Sequence, residues 1–157
     1  MEQQFDKNSS RKNPPPPLET GIEDRDLRIE VFAVCEAALD QSGRLTVLGV
    51  FENINASQIP CVMPPITIAL RLRFWPGEIQ QHAVKFVVTN PDGRPITQML
   101  EGSGFNPAGS HERSQACNVI AQIQNLAIDE AGEYRVDFYL NDRLEGRLPF
   151  CVLSGAV

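Results

Sequence analysis

Between Gly132 and Val152 apolar and polar residues alternate through two runs joined at Asn141-Asp142. Side chains along an extended strand point to opposite faces in turn, so Tyr134, Val136, Phe138 and Leu140 share one face while Glu133, Arg135, Asp137 and Tyr139 share the other. The pattern predicts a β-hairpin with one wet face. Similar short runs recur from Leu27 onward between turn signals. They predict an all-β fold, an immunoglobulin-like antiparallel β-sandwich of about eight strands.

Arg28 to Ala38 reads as the first strand, with Ile29, Val31, Ala33, Cys35 and Ala37 on one side. A turn at Asp40-Gln41-Ser42-Gly43 then feeds Arg44 to Phe51, where Leu45, Val47, Leu48, Val50 and Phe51 leave little polar face. Such a strand is expected at the centre of a sheet, covered on both sides. Pro60, Pro64 and Pro65 remove ladder donors, so Asn53 to Pro65 is expected to be a crossover loop. Ile66 to Trp75 is the cleanest strand, with Ile66, Ile68, Leu70, Leu72 and Phe74 inward and Thr67, Ala69, Arg71, Arg73 and Trp75 outward.

The chain then returns through His82 to Asn90, with Val84, Phe86 and Val88 inward, and turns at Pro91-Asp92-Gly93. A short strand near Pro95 to Leu100, a Gly-rich loop from Glu101 to Gln115, a strand from Cys117 to Leu126 and the terminal hairpin complete the pattern. No window carries helical spacing bounded by caps; a short turn at Ile128 to Ala131 is the exception. Gly132-Glu133-Tyr134 has the Gly-x-Tyr form that opens the penultimate strand of immunoglobulin-like sandwiches, where the tyrosine hydroxyl caps upstream backbone. Val136 stands where antibody domains place a cysteine, so the likeness is to the sandwich and not to its disulfide.

Met1 to Asp26 holds four consecutive prolines, Pro14 to Pro17, among polar and charged residues, and is expected to be a disordered or extended tail. A proline run acts as a spacer or docks on an aromatic groove of a partner. Residues 27–157 are expected to form one sandwich domain, which suits a chain of 157 residues. A net charge of −6 argues against a dedicated nucleic-acid or anionic-membrane surface, both of which call for clustered Lys and Arg. No stretch reaches the roughly 18 consecutive apolar residues that span a bilayer, and the polar N-terminus does not read as a secretory signal, so the expected compartment is the cytoplasm. Cys35, Cys61, Cys117 and Cys151 are too widely spaced for a zinc or redox motif. Reduced thiols suit that compartment, although Cys35 and Cys151, in the first and last strands, leave a disulfide open.

The order Phe32-Ala33-Val34-Cys35-Glu36, then Gly43-Arg44-Leu45-Thr46-Val47-Leu48-Gly49-Val50-Phe51, then Ile59-Pro60 and a strand from Ile66 to Arg73, resembles a bacterial family catalogued only as a domain of unknown function. Its members typically open with Cys-Asp or Cys-Glu, continue Gly-Lys-Leu-Ser-Leu-Ile-Gly-Val-Phe and finish on a Gly-x-Tyr hairpin. The likeness covers Leu27 to Val152 and is concentrated in Leu45 to Phe51, with Thr46 and Val47 in place of the usual Ser and Leu. It implies the sandwich fold and a bacterial cytoplasmic setting, and it implies no activity, cofactor or site.

Candidate chemistry is sparse. Gly102-Ser103-Gly104 starts like a phosphate loop, but Pro107 replaces the third glycine of a dinucleotide fingerprint and no Gly-Lys-Ser/Thr follows. Ser110-His111-Glu112 sets a hydroxyl beside an imidazole without the geometry of a triad, and His82 has no partner at metal-ligand spacing. Glu36 with Asp40, or Asp92 with Glu101, are better read as solvated carboxylates than as an acid pair. No catalytic residue, cofactor or metal is expected. The outward face of Arg71, Arg73 and Trp75 is the candidate interaction face, since Trp and Arg are enriched in hot spots. In an immunoglobulin-like arrangement this strand would neighbour the Gly132 strand and bring Arg71 or Arg73 near Asp137 and Tyr139. The expected function is a non-enzymatic interaction or assembly module, with an unknown protein partner or self-association. The alternative is a small-ligand binder or hydrolase with Glu101 to Gln115 as a lid.

Overall fold

The computed structural model describes residues 28–76, 81–96, 100–105 and 113–155. The expected tail at 1–26 lies outside them. Among the described residues the chain runs through eleven strands and no helix: β1 (Arg28–Gln41), β2 (Arg44–Val50), β3 (Asn53–Ala56), β4 (Cys61–Val62), β5 (Ile66–Phe74), β6 (His82–Thr89), β7 (Leu100–Phe105), β8 (Gln115–Ile123), β9 (Ala127–Ile128), β10 (Gly132–Leu140) and β11 (Arg143–Ser154). One sheet has the order β2-β1-β5-β8 and the other β3-β11-β10-β6-β7; β4 and β9 pair alone. All pairings are antiparallel except β3 with β11. The fold is the expected all-β sandwich.

Its core lies between the two sheets. Ile66, Ile68, Leu70, Leu72 and Phe74 of β5 meet Val84, Phe86 and Val88 of β6, Tyr134, Val136, Phe138 and Leu140 of β10, and Phe150 and Val152 of β11. Phe32, Phe86 and Phe138 form an aromatic cluster with centroids 5.5 to 6.5 Å apart. The Gly-x-Tyr expectation holds in detail: the buried Tyr134 hydroxyl donates to the Glu130 carbonyl at 2.8 Å, and its ring stacks on Phe150. Burial pushes the Tyr134 phenol above its ordinary pKa. The predicted turn residues Asn141 and Asp142 both take positive φ, as a two-residue hairpin turn requires.

Four expectations change. First, the register of β1 against β5 shifts between Ile29 and Val31, and this bulge reverses the phase of the strand. Phe32 and Val34 therefore face the core, while Val31, Ala33 and Cys35 stand opposite the outward Arg71, Ala69 and Thr67. Second, β2 is an edge strand and not a central one. Leu48 is 64% and Val50 61% exposed. Third, a strand runs through Leu100–Phe105, inside the segment read as a loop; of the strand expected near Pro95 to Leu100, Pro95 makes an isolated bridge to Thr89 and residues 97–99 lie outside the described residues. Gly102 pairs with Val84 there, so the would-be phosphate loop is extended strand backbone. Fourth, the crossover from Asn53 to Pro65 contains β3 and β4, and Ala127–Ile128, at the foot of the expected short turn, is β9.

Candidate functional site

The outward side of β5 was the sequence candidate, and the structure turns it into a clamp. β1 pairs with β5 as far as Cys35 opposite Thr67, and beyond that point it pairs only with β2. On a straight strand Gln41 would lie about 33 Å from Val31. Yet Arg71, opposite Val31, donates to the Gly43 carbonyl at 3.0 Å, and Asn118 on β8 donates to Asp40 Oδ2 at 3.1 Å. The second half of β1 and all of β2 thus fold back as a two-stranded ribbon over the outside of the sheet. Asp40 is a turn residue, its Oδ1 accepting the Gly43 N–H at 2.7 Å.

Arg71 also binds Glu30 Oε2 at 2.9 Å and Asn118 Oδ1 at 2.7 Å, while Arg73 binds the other Glu30 oxygen and Ser114 Oγ. Partial burial pushes the Glu30 pKa up, but the hydrogen bonds from Arg73 and Arg71 outweigh it and hold the carboxyl below its ordinary range. Arg71 and Arg73 are therefore committed to structure.

The four residues proposed as an interaction face are not brought together. Arg71 and Arg73 lie on β5 between β1 and β8, and the half-buried Trp75 follows at the end of that strand. Tyr139 lies on β10 in the other sheet, with the Lys85 ammonium 4.8 Å from its ring centroid. Asp137, also on β10, pairs with Arg135 at 3.2 Å and Arg147 at 3.4 Å. The expected contact of Arg71 or Arg73 with Asp137 and Tyr139 fails because β5 and β10 belong to different sheets. Charge partners come from the strands that neighbour each residue.

What the ribbon leaves uncovered is apolar. Its half-buried face carries Ala38, Leu45 and Val47; the opposite face exposes Ala37, Leu39, Leu48 and Val50, with Thr46 among them. Gly49 takes a φ of +64°, and the Glu36 side chain packs against it so closely that a Cβ would sit 2.7 Å from the Glu36 Cδ. Beside the ribbon, a groove of about 540 Å³ opens between β1 and β11, lined chiefly by Phe32, Ala33, Val50, Phe51, Leu148 and Pro149. Glu52 and Glu133 also line it. Its floor is stitched by the β2–β3 connection: the Phe51 N–H donates to the Val34 carbonyl at 3.2 Å, and the Glu52 carbonyl accepts the Cys151 N–H at 2.8 Å.

A model of the family of unknown function DUF6941 matches residues 30–153. The chain belongs to this family. No curated protein matches it in sequence. Among solved structures, the Pseudomonas fluorescens alkylpurine DNA glycosylase AlkC, bound to DNA containing an abasic site analog, is 14% identical with a TM-score of 0.49 over 82% of this chain and 30% of that one. A β-glucosidase from Listeria innocua in complex with glucose is 9% identical, TM-score 0.45, over 84% of this chain and 16% of the other. An immunoglobulin-like protein from Pseudomonas aeruginosa is 14% identical, TM-score 0.34, over 82% of this chain and 97% of that one. The chain thus spans under a third of the first and about a sixth of the second.

The remaining candidates are quiet. All four cysteines are free, and no group of three or more His, Cys, Asp and Glu side chains among the described residues is placed to hold a metal ion. Burial raises the thiol pKa of Cys35 and Cys117. His82 stacks on Phe74 at 4.8 Å and its Nδ1 lies 2.9 Å from Asn141 Nδ2. Ser110, His111 and Glu112 lie outside the described residues. No helix among the described residues is long and apolar enough to cross a membrane. The sequence reading missed the ribbon face, because a strand apolar on both sides looks the same whether a second layer or solvent lies beyond it.

Proposed function

We propose that this protein is a non-enzymatic interaction or assembly module whose docking surface is the β1–β2 ribbon and the groove beside it. The supporting observation is the exposure of Leu48 and Val50, at 64% and 61%, next to Leu39 at 46%, on one face of an edge hairpin. Grouped apolar exposure of this kind marks contact surfaces in soluble domains. The one charge on that face is Arg44, at its tip beside Gln41, and Glu52 lies beyond its base.

The test compares the wild-type chain with a Leu48→Lys, Val50→Lys variant whose thermal unfolding matches wild type. Loss in the variant of either a specifically captured protein or of self-association is expected. Identical capture and identical sedimentation would remove the reading.

A second reading, binding of a small apolar ligand, is favoured by the groove volume, which falls within the usual range for ligand pockets. The middle of the expected lid at Glu101 to Gln115, residues 106–112, lies outside the described residues, and the strands at its two ends, β7 and β8, are at the edges of their sheets away from this groove. A ligand at 100 times its Kd adds about 2.7 kcal/mol of stability. A thermal-shift screen against apolar metabolites therefore separates the two readings.

A further inference from the structure

We infer that the partner of the ribbon is a second copy of this chain, joined by antiparallel pairing of β2 with its two-fold mate. The inference rests on the interaction reading above and names its occupant. Three observations carry it.

The outer edge of β2 pairs with no strand among the described residues. Edge strands are usually blunted by proline, inward-pointing charge, a short length or a covering element. β2 is seven residues long, contains no proline and carries one charge, Arg44, at its very start. β11 shows the contrast: Pro149 removes an N–H on its groove side, where Cys151, two residues on, donates to Glu52.

The free edge also has a regular set of backbone groups to offer. Gln41 and Arg44 close a two-residue turn at Ser42-Gly43, both with positive φ, so they face each other and the same parity recurs at Leu39 with Thr46 and Ala37 with Leu48. The amides of Leu45 and Val47 therefore point outward. A two-fold operation sets two such edges antiparallel without changing either chain.

The charges at the two ends of β2 are opposite and unspent. Arg44 begins the strand, while Glu36, beside Gly49, and Glu52, just past Val50, stand at its other end. All three are exposed, and none makes an ion pair among the described residues. A two-fold antiparallel contact sets the Arg44 end of each copy against the Glu36 and Glu52 end of the other, twice by symmetry. Leu48 then meets its counterpart at the two-fold axis, and Val50 of each copy faces Thr46 of the other. Elsewhere a net charge of −6 opposes self-contact; here the apolar face contributes no like-charge cost.

The experiment is sedimentation equilibrium of the full chain and of charge reversals at Arg44 and Glu52. Wild type is expected to dimerise reversibly. Arg44→Glu and Glu52→Arg should each weaken the dimer about tenfold, and the double reversal should restore it. Hydrogen exchange supplies a readout that a misfolded variant would not mimic: raising the wild-type concentration should protect the Leu45 and Val47 amides and leave Thr46 and Leu48 unchanged. A strictly monomeric wild type, or a dimer indifferent to both reversals, would overturn the inference. If the wild type is monomeric yet Leu48→Lys, Val50→Lys loses a captured heterologous protein, the second copy is wrong and the interaction reading stands.

Discussion

β5 and β2 are both rich in apolar residues, yet Leu70 in β5 is fully buried while Leu48 in β2 is 64% exposed. The difference is one of neighbours. β5 lies between β1 and β8, with the other sheet on its inner side and the folded-back ribbon reaching its outer side through Arg71. β2 is itself part of that ribbon, so it has one strand partner and one half-covered face. Apolar composition marks a strand that wants cover, and the topology decides whether the chain's own elements supply it or leave it to another molecule.

The sharpest way to break this comparison is a pair of truncations followed by denaturant unfolding. Leu70→Ala should cost about 2–5 kcal/mol, since it opens a cavity in the core. Leu48→Ala, measured at a concentration where the chain is monomeric, should change stability by no more than about 0.5 kcal/mol. Equal costs would mean that the ribbon face is not a free surface in solution.

Arg71→Ala tests what holds the ribbon down. It removes the bonds to Gly43, Glu30 and Asn118, which are partly solvent-exposed, and should cost roughly 1–2 kcal/mol. Amide exchange should rise in β2 and in the second half of β1 and stay slow in β5. A uniform rise across all three would show that the ribbon unfolds only with the core.

Gly49→Ala perturbs the β1–β2 ribbon, because it forces a side chain into a left-handed conformation and into the Glu36 carboxylate. A loss of roughly 1–2 kcal/mol is expected, with amide shifts in an NMR spectrum confined to the Glu36 to Glu52 segment.

The smallest effect concerns pH. Glu30 is held below its ordinary pKa, so its contribution is present above the unfolded glutamate value of about 4.3 and is lost as pH falls through the lower folded value. Wild type should therefore lose its Tm advantage over Glu30→Gln in that acid window, and the two should run parallel at neutral pH. Curves parallel throughout would mean that Arg71 and Arg73 are not anchored by this carboxylate.

Much of the fold is legible in particular residues. Tyr134 with Glu130, the Asn141-Asp142 turn and the inward row from Ile66 to Phe74 all follow from local rules, and each stands as expected. The phase of β1 was not legible, because one extra residue at Glu30 reverses every side chain after it and leaves no mark in the alternation. The link from Arg71 or Arg73 to Asp137 was not legible either. The partners of a charged residue on a sheet depend on which strands lie beside it, and here those strands bring Glu30 to both arginines of β5 and Arg147 to Asp137.

Taken by itself, the amino-acid sequence determined the strand period, most turn positions and the residues that require burial, since all three follow from backbone sterics and side-chain hydrophobicity within a few residues. Only the tertiary structure decided that β1 parts from β5 after Cys35, folds back over the outside of the sheet and leaves β2 as an open edge. Those outcomes depend on contacts such as Arg71 with Gly43, between segments far apart along the chain, where the local alternation of residues carries no information.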